Sequence, residues 1–234
     1  MSFIIKTSLV ILVYSSLVFA QEQDGFKDRP ITTNLWMPTA HTLHEGEFAV
    51  GLGPIAVGID EQFQLESNIL LFLFQTYNVN LKWNFYNKES LALAAVLDYR
   101  RMQLDAAGDE NDLPFNAISP SLALTKNLNK KTAVHLAAKY SWFSTDNDIS
   151  DYKAEESSSG TEIMAGLDYS LSSGTKLLAE GGYDFTFEGA KIGFGILFGW
   201  EKFRLKLGFS YFAPENTSTG YSFPNIGLWW RFKG

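Results

Sequence analysis

Segments of ten to twelve residues that alternate strictly between apolar and polar, tight turns that alternate with longer connections, and Tyr and Trp rings near the ends of the apolar faces together predict an all-β chain. The architecture they specify is an antiparallel transmembrane β-barrel of ten to twelve strands, with twelve favoured. The chain has 234 residues, 46% hydrophobic, 15% aromatic and 19% charged, which excludes a disordered tail or a coiled coil. Its formal net charge of −7 argues against nucleic-acid binding, which needs a basic face to meet phosphates. Cysteine is absent, so disulfides, thiolate metal sites and cysteine nucleophiles are all ruled out.

Residues 1–20 carry one charge, Lys6, then an apolar run that ends in Val18-Phe19-Ala20. This is the pattern of a secretory signal with cleavage expected after Ala20, and the run is short for a membrane helix. Gln21 stands where a lipoprotein would need Cys, so no lipid anchor is expected. Residues 21–45 are polar and read as a periplasmic N-terminal segment; residues 46–234 read as the barrel.

Within 76–86, Tyr77, Val79, Leu81, Trp83 and Phe85 share one face, and Asn78, Asn80, Lys82 and Asn84 the other. Period two places successive side chains on opposite faces of a strand. The same alternation recurs in 46–53, 61–71, 90–101, 115–126, 132–143, 161–171, 175–187, 190–200, 202–212 and 222–232. Soluble strands typically run about 5–6 residues, whereas a tilted strand needs about 9–11 to cross a bilayer. Bacterial single-chain barrels have even strand numbers, so a twelfth strand is sought. It would come from residues 31–37, or from a division of 46–59 at Gly53-Pro54. Pro120 interrupts a strand and predicts a bulge or a broken ladder.

Alternation does not by itself say which face meets solvent. Strand length and the aromatic ends (Tyr77, Tyr86, Tyr99, Tyr140, Trp142, Tyr169, Trp200, Tyr211, Trp230) favour an apolar exterior in lipid. Charge distribution agrees. Segment 103–114 carries Asp105, Asp109, Glu110 and Asp112 without a base, and 144–159 carries Asp146, Asp148, Asp151, Glu155 and Glu156 against Lys153. These segments hold the acidic excess and leave the polar faces near balance, as an enclosed lumen of paired charges requires.

Taken together, the cleavable signal, the alternating strands, the uneven connections and the terminal aromatic strand 226–232 (Ile-Gly-Leu-Trp-Trp-Arg-Phe) resemble the bacterial outer-membrane β-barrel proteins as a class. The resemblance covers about residues 46–234. It implies a location in the outer membrane of a Gram-negative cell, contact with membrane lipid and lipopolysaccharide, and recognition by the barrel assembly machinery. Members of the class usually end on the aromatic itself; here Lys233 and Gly234 follow Phe232.

The residues expected to line a channel are Lys82, Asp98, Arg100, Lys139, Glu180, Asp184, Arg204, Lys206 and Arg231, on the polar faces. They point to passage of small polar solutes, or to a structural barrel. One alternative is a surface interaction protein that meets an extracellular partner through Asp105, Asp109, Asp146, Asp148 and Asp151. Another is a soluble exported barrel holding an apolar ligand. No catalytic residue, metal ligand or cofactor is expected. His41 and His44 lie in the solvated lead-in segment, and the acidic segments lack the Gly and terminal Glu of a calcium loop. Barrel lipid-A deacylases carry His-x-Ser on one strand, whereas the position after His135-Leu136 is Ala137, leaving only a serine brought in from another strand.

Overall fold

The computed structural model describes residues 26, 30–104, 113–149, 152–215 and 219–233. Apolar residues at alternate positions give twelve antiparallel strands, each paired with its sequence neighbours, and the last closes on the first. They are β1 (Phe48–Leu52), β2 (Pro54–Gly58), β3 (Phe63–Asn68), β4 (Thr76–Lys88), β5 (Leu91–Leu104) and β6 (Leu113–Asn127). The second half comprises β7 (Thr132–Ile149), β8 (Tyr152–Ser172), β9 (Thr175–Asp184), β10 (Gly189–Gly199), β11 (Phe203–Pro214) and β12 (Tyr221–Phe232). A single helical turn, α1 (Ile69–Phe72), follows β3.

The ring of strands closes through β1 and β12, and the apolar faces point outward. Leu122, Ile163, Phe194 and Ile226 are exposed on the exterior, with Tyr77, Tyr140, Trp142, Tyr169, Tyr211 and Trp230 exposed among them. A soluble barrel would bury that face. Here the fully buried side chains are instead inward-facing ones such as Arg204, Lys82, His135, Gln64 and Glu47. An apolar belt around a polar interior is the surface of a membrane-spanning barrel.

The twelfth strand arises from 46–59, divided at Gly53, whose φ of +124° only glycine adopts readily. Residues 31–37 contribute no wall strand. The run 61–71 also ends early: β2 offers its last ladder partner at Asn68, the Asn68 side chain caps α1 by accepting from Leu70 N–H, and Ile69 N–H bonds Gly53 O. The connection 144–159 is mostly strand, because β7 and β8 stay paired as far as Ile149↔Tyr152. Pro120 breaks the ladder without a bulge. Pairing of β6 with β7 skips Ser119 and Pro120 and resumes in the same register at Ser121↔Lys139.

Candidate functional site: a lumen filled by the N-terminal segment

The described part of 21–45 is not a solvated periplasmic segment. Residues 30–45 fold back into the barrel from the tight-turn rim as a re-entrant hairpin, closed by a Thr33↔Pro38 bridge and by backbone bonds Asn34 N to Met37 O and Thr39 N to Thr32 O. Asn34, Leu35, Met37, Thr39, Ala40 and Leu43 are all buried. The alternation rule misses this segment because its residues are buried without belonging to a sheet.

Burial strips water from the hairpin backbone, and each orphaned group must find a partner. The lumen wall supplies them. The Glu180 carboxylate accepts the backbone N–H groups of Leu35 (3.2 Å), Trp36 (3.1 Å) and Met37 (3.3 Å) at the hairpin tip. Lys206 Nζ donates to Asn34 O and Leu35 O, each at 2.9 Å. Lys82 Nζ donates to Thr32 O (2.6 Å) and His41 O (3.1 Å), and Asn84 Nδ2 to Ala40 O (2.7 Å). Thr125 Oγ1 accepts Ala40 N–H at 3.0 Å, Gln64 Oε1 accepts Leu43 N–H at 2.8 Å, and Arg231 donates to Pro30 O at 3.3 Å.

Apolar contacts complete the fit. Ile31 and Leu35 cluster with inward-facing Leu178 and Leu197, with Phe26 and Trp229 packed alongside. Gly193, Gly195 and Gly208 flatten the wall where Leu35 lies. An added Cβ at these positions would stand 2.8, 2.7 and 2.9 Å from its methyl carbons. Gly166 makes the same room for Asn34 and Met37.

Of the channel residues expected from sequence, Lys82, Glu180, Lys206 and Arg231 therefore hold the hairpin rather than line an open pore. Arg231 also makes a two-pronged ion pair with Glu47, Nε to Oε1 at 2.9 Å and a terminal nitrogen to Oε2 at 2.7 Å, just before β1. Arg204 is buried, bonds Trp200 O and Phe203 O, and lies 5.1 Å over the Phe26 ring. The remaining four sit in a vestibule on the other side of the hairpin tip, where Trp36 is exposed and its indole donates to Ser210 Oγ at 3.0 Å. Arg100 pairs with Asp98 at 2.7 Å; Lys191 joins Glu162 at 2.5 Å and Asp184 at 3.0 Å, and Lys139 completes that network on Glu162. Asp105, Asp109 and Asp151 lie outside the described residues, and Asp146 and Asp148 fall in the outer part of β7, where only the backbone is described.

His135 has a hydroxyl partner that sequence spacing did not show. Thr125 Oγ1 lies 2.9 Å from His135 Nδ1, and His135 Nε2 lies 3.0 Å from Asp168, whose other oxygen holds Lys176 at 2.5 Å. The order hydroxyl–imidazole–carboxylate is that of a nucleophilic triad. Here the hydroxyl oxygen also accepts Ala40 N–H, and His135 is fully buried beneath the hairpin. The arrangement fastens the hairpin to the wall. His44 is half-buried with Nδ1 3.3 Å from Glu61, and His41 is held to a pKa of about 4 by burial, reinforced by nearby His135 and Lys82.

Fold and lumen together define a twelve-stranded transmembrane β-barrel of porin-like architecture, plugged from within by its own N-terminal segment. No protein-family model matches the chain, and no curated protein matches it in sequence. Among solved structures it is similar to the KdgM porin in complex with disordered oligogalacturonate, at 10% identity over 80% of this chain and 96% of that one, with a TM-score of 0.52. The N-terminal β-barrel domain of Pseudomonas aeruginosa OprF also matches, at 12% identity over 81% of this chain and 100% of that one, with a TM-score of 0.33. The first likeness carries the fold.

Proposed function

We propose that the protein is a small porin-like channel for polar solutes in the bacterial outer membrane, exported by the signal at residues 1–20 and held shut at rest by hairpin 30–45. The observation that carries this reading is the way the hairpin is held. Its tip is bound by the ionic side chains Glu180 and Lys206 beside a small apolar cluster of Ile31, Leu35, Leu178 and Leu197. A segment fixed by charge-assisted hydrogen bonds leaves behind a polar, water-compatible conduit when it withdraws.

The test is single-channel conductance in planar bilayers of the mature chain against the same chain without residues 21–40. Near-silence from the first and steady ion-selective steps from the second are expected, with Lys82→Gln and Lys206→Gln reducing preference for anions. Silence from the deleted form, once shown to be folded and inserted, would overturn the channel.

The long β7–β8 hairpin favours a second reading. Its acidic outer part, with Asp146 and Asp148 at the end of β7 and Asp151 next in sequence, is a contact surface for an extracellular partner. Shortening the hairpin by residues 146–156 then abolishes cell-surface adhesion and leaves conductance unchanged.

A further inference from the structure

The barrel wall is not equally high all round. β1 and β2 stop at the Gly53 hairpin, so β12 pairs with β1 only from Leu228 to Phe232. Among the described residues, no strand pairs with 221–227 on that side. Across the gap β3 also stops, at Asn68, and α1 replaces it. This gap lies at the depth of the apolar belt, since Phe209 and Tyr211, outward and exposed, are the β11 partners of Pro224 and Ser222.

An open strand edge is not tolerated in hydrocarbon unless its backbone groups line a water-filled space. Arg231 N–H points toward β11, where it bonds Lys202 O. Alternation along the strand then aims the N–H and C=O of even-numbered residues toward β1. In the unpaired stretch these residues are Ile226, Pro224 and Ser222. Proline has no N–H to leave unsatisfied, and in the middle of an edge it obstructs an added strand. The edge is thus adapted to stay open rather than to be completed by another chain.

The side chains around the gap fit this. Along the paired part of β12 Leu228, Trp230 and Phe232 face out, and Trp229 and Arg231 face in. Beside the gap Pro224 and Ile226 still face out and Asn225 faces in, but at its outer end the polarity inverts: Ser222 faces out, while Tyr221 and Phe223 face the lumen, 51% and 47% exposed. On the opposite lip Ile69, Phe72, Leu73 and Phe74 are exposed in a connection with no charge, unlike the acidic connections elsewhere on that rim.

We infer that the gap between β12 and α1 is a lateral portal through which an acyl chain of a bilayer lipid enters the vestibule and lies against Tyr221 and Phe223. Above the hairpin tip the inward positions carry these rings on β12 and the charged Lys139–Glu162–Lys191–Asp184 network on β7 to β10, giving an amphiphile both an apolar and a polar surface. The inference rests on the barrel spanning a membrane, not on withdrawal of the hairpin, so a closed channel would leave it standing.

The absence of cysteine makes the test clean. Phe223→Cys and Tyr221→Cys variants of the full mature chain are each labelled with a fluorophore in phosphatidylcholine vesicles, where a fraction of the lipids carries a nitroxide on the acyl chain. Phe209→Cys, facing lipid, gives the upper reference for quenching; Asn129→Cys, in the exposed turn between β6 and β7 on the tight-turn rim, gives the lower. Heat-modifiable gel migration identifies folded protein, and either portal position suffices. Quenching at 223 or 221 comparable to that at 209, and several-fold above that at 129, is the expected result. Quenching no greater than at 129 overturns the portal. So does a dimer in which two pyrene labels at 223 form an excimer, because a second copy's strand would then occupy the edge.

Discussion

Replacing Glu180 by Ala removes the acceptor for three backbone N–H groups at once, those of Leu35, Trp36 and Met37. A hydrogen bond to a charged group contributes about 1.5–3 kcal/mol net, and a buried donor left without its acceptor costs about 1–3 kcal/mol. The three bonds share one carboxylate and do not add, so the whole perturbation falls near the roughly 3–5 kcal/mol of a broken buried ion pair. At about 1.4 kcal/mol per factor of ten, the hairpin-out population rises on the order of a hundred- to a few thousandfold. Glu180→Gln keeps one acceptor oxygen and presents an NH2 to the remaining donors, so it should fall between. The assay is maleimide labelling of Thr39→Cys, a fully buried hairpin position in a chain with no other thiol. When reclosing is faster than labelling, the rate follows the open population. Equal labelling rates with and without Glu180, in folded protein, would refute the claim that this carboxylate holds the tip.

Three further outcomes are expected. Glu47→Ala strands a buried guanidinium and should lower the heat-modification midpoint, while the double variant Glu47→Met/Arg231→Met recovers part of the loss; purely additive single effects would mean the pair is not coupled. His41 is neutral when docked, with a pKa of about 4, and regains its ordinary value of 6.5 when freed, so docking is strongest above pH 6.5 and weakens up to tenfold per pH unit below it. Open probability should therefore rise as pH falls from neutral toward 5, and His41→Gln should flatten the response; an unchanged slope would remove His41 from the process. Gly195→Val places side-chain carbon where Leu35 Cδ2 lies and should open the hairpin, and Leu35→Ala in the same chain should restore closure by making room.

Strand positions and facing were legible because period two is a local signal that each segment carries by itself. Even the division at Gly53-Pro54 could be read, since both residues punctuate strands. The plug was not legible, for a physical reason. Residues 30–45 take no regular structure, so their apolar members Ile31, Leu35, Met37, Ala40 and Leu43 show no period, and their partners lie on β3, β4, β6, β9, β11 and β12, far along the chain. Two traces were present in the sequence: Leu178 and Leu197 fall on lumen-facing positions where a water-filled pore would not favour leucine, and Gly193, Gly195 and Gly208 leave bare wall on adjacent strands. A lumen face that combines inward leucines with a glycine patch is the imprint of something packed against it.

The charges that hold the hairpin also reduce the cost of releasing it. The charges of Lys82 and Lys206 are solvated at rest by carbonyls of the hairpin, and that of Glu180 by its N–H groups. A lumen built only to grip these backbone groups would be left with isolated buried charges on opening, a state too costly to populate. But Glu66 faces Lys82, and Glu180 faces Lys206 across β9, β10 and β11, so each cation has a carboxylate within its electrostatic reach when the backbone partner leaves. Water entering with withdrawal screens whatever remains unpaired. The same charged side chains thereby serve two arrangements, hairpin in and hairpin out, and a lumen whose charges keep partners in both is what a reversible plug requires.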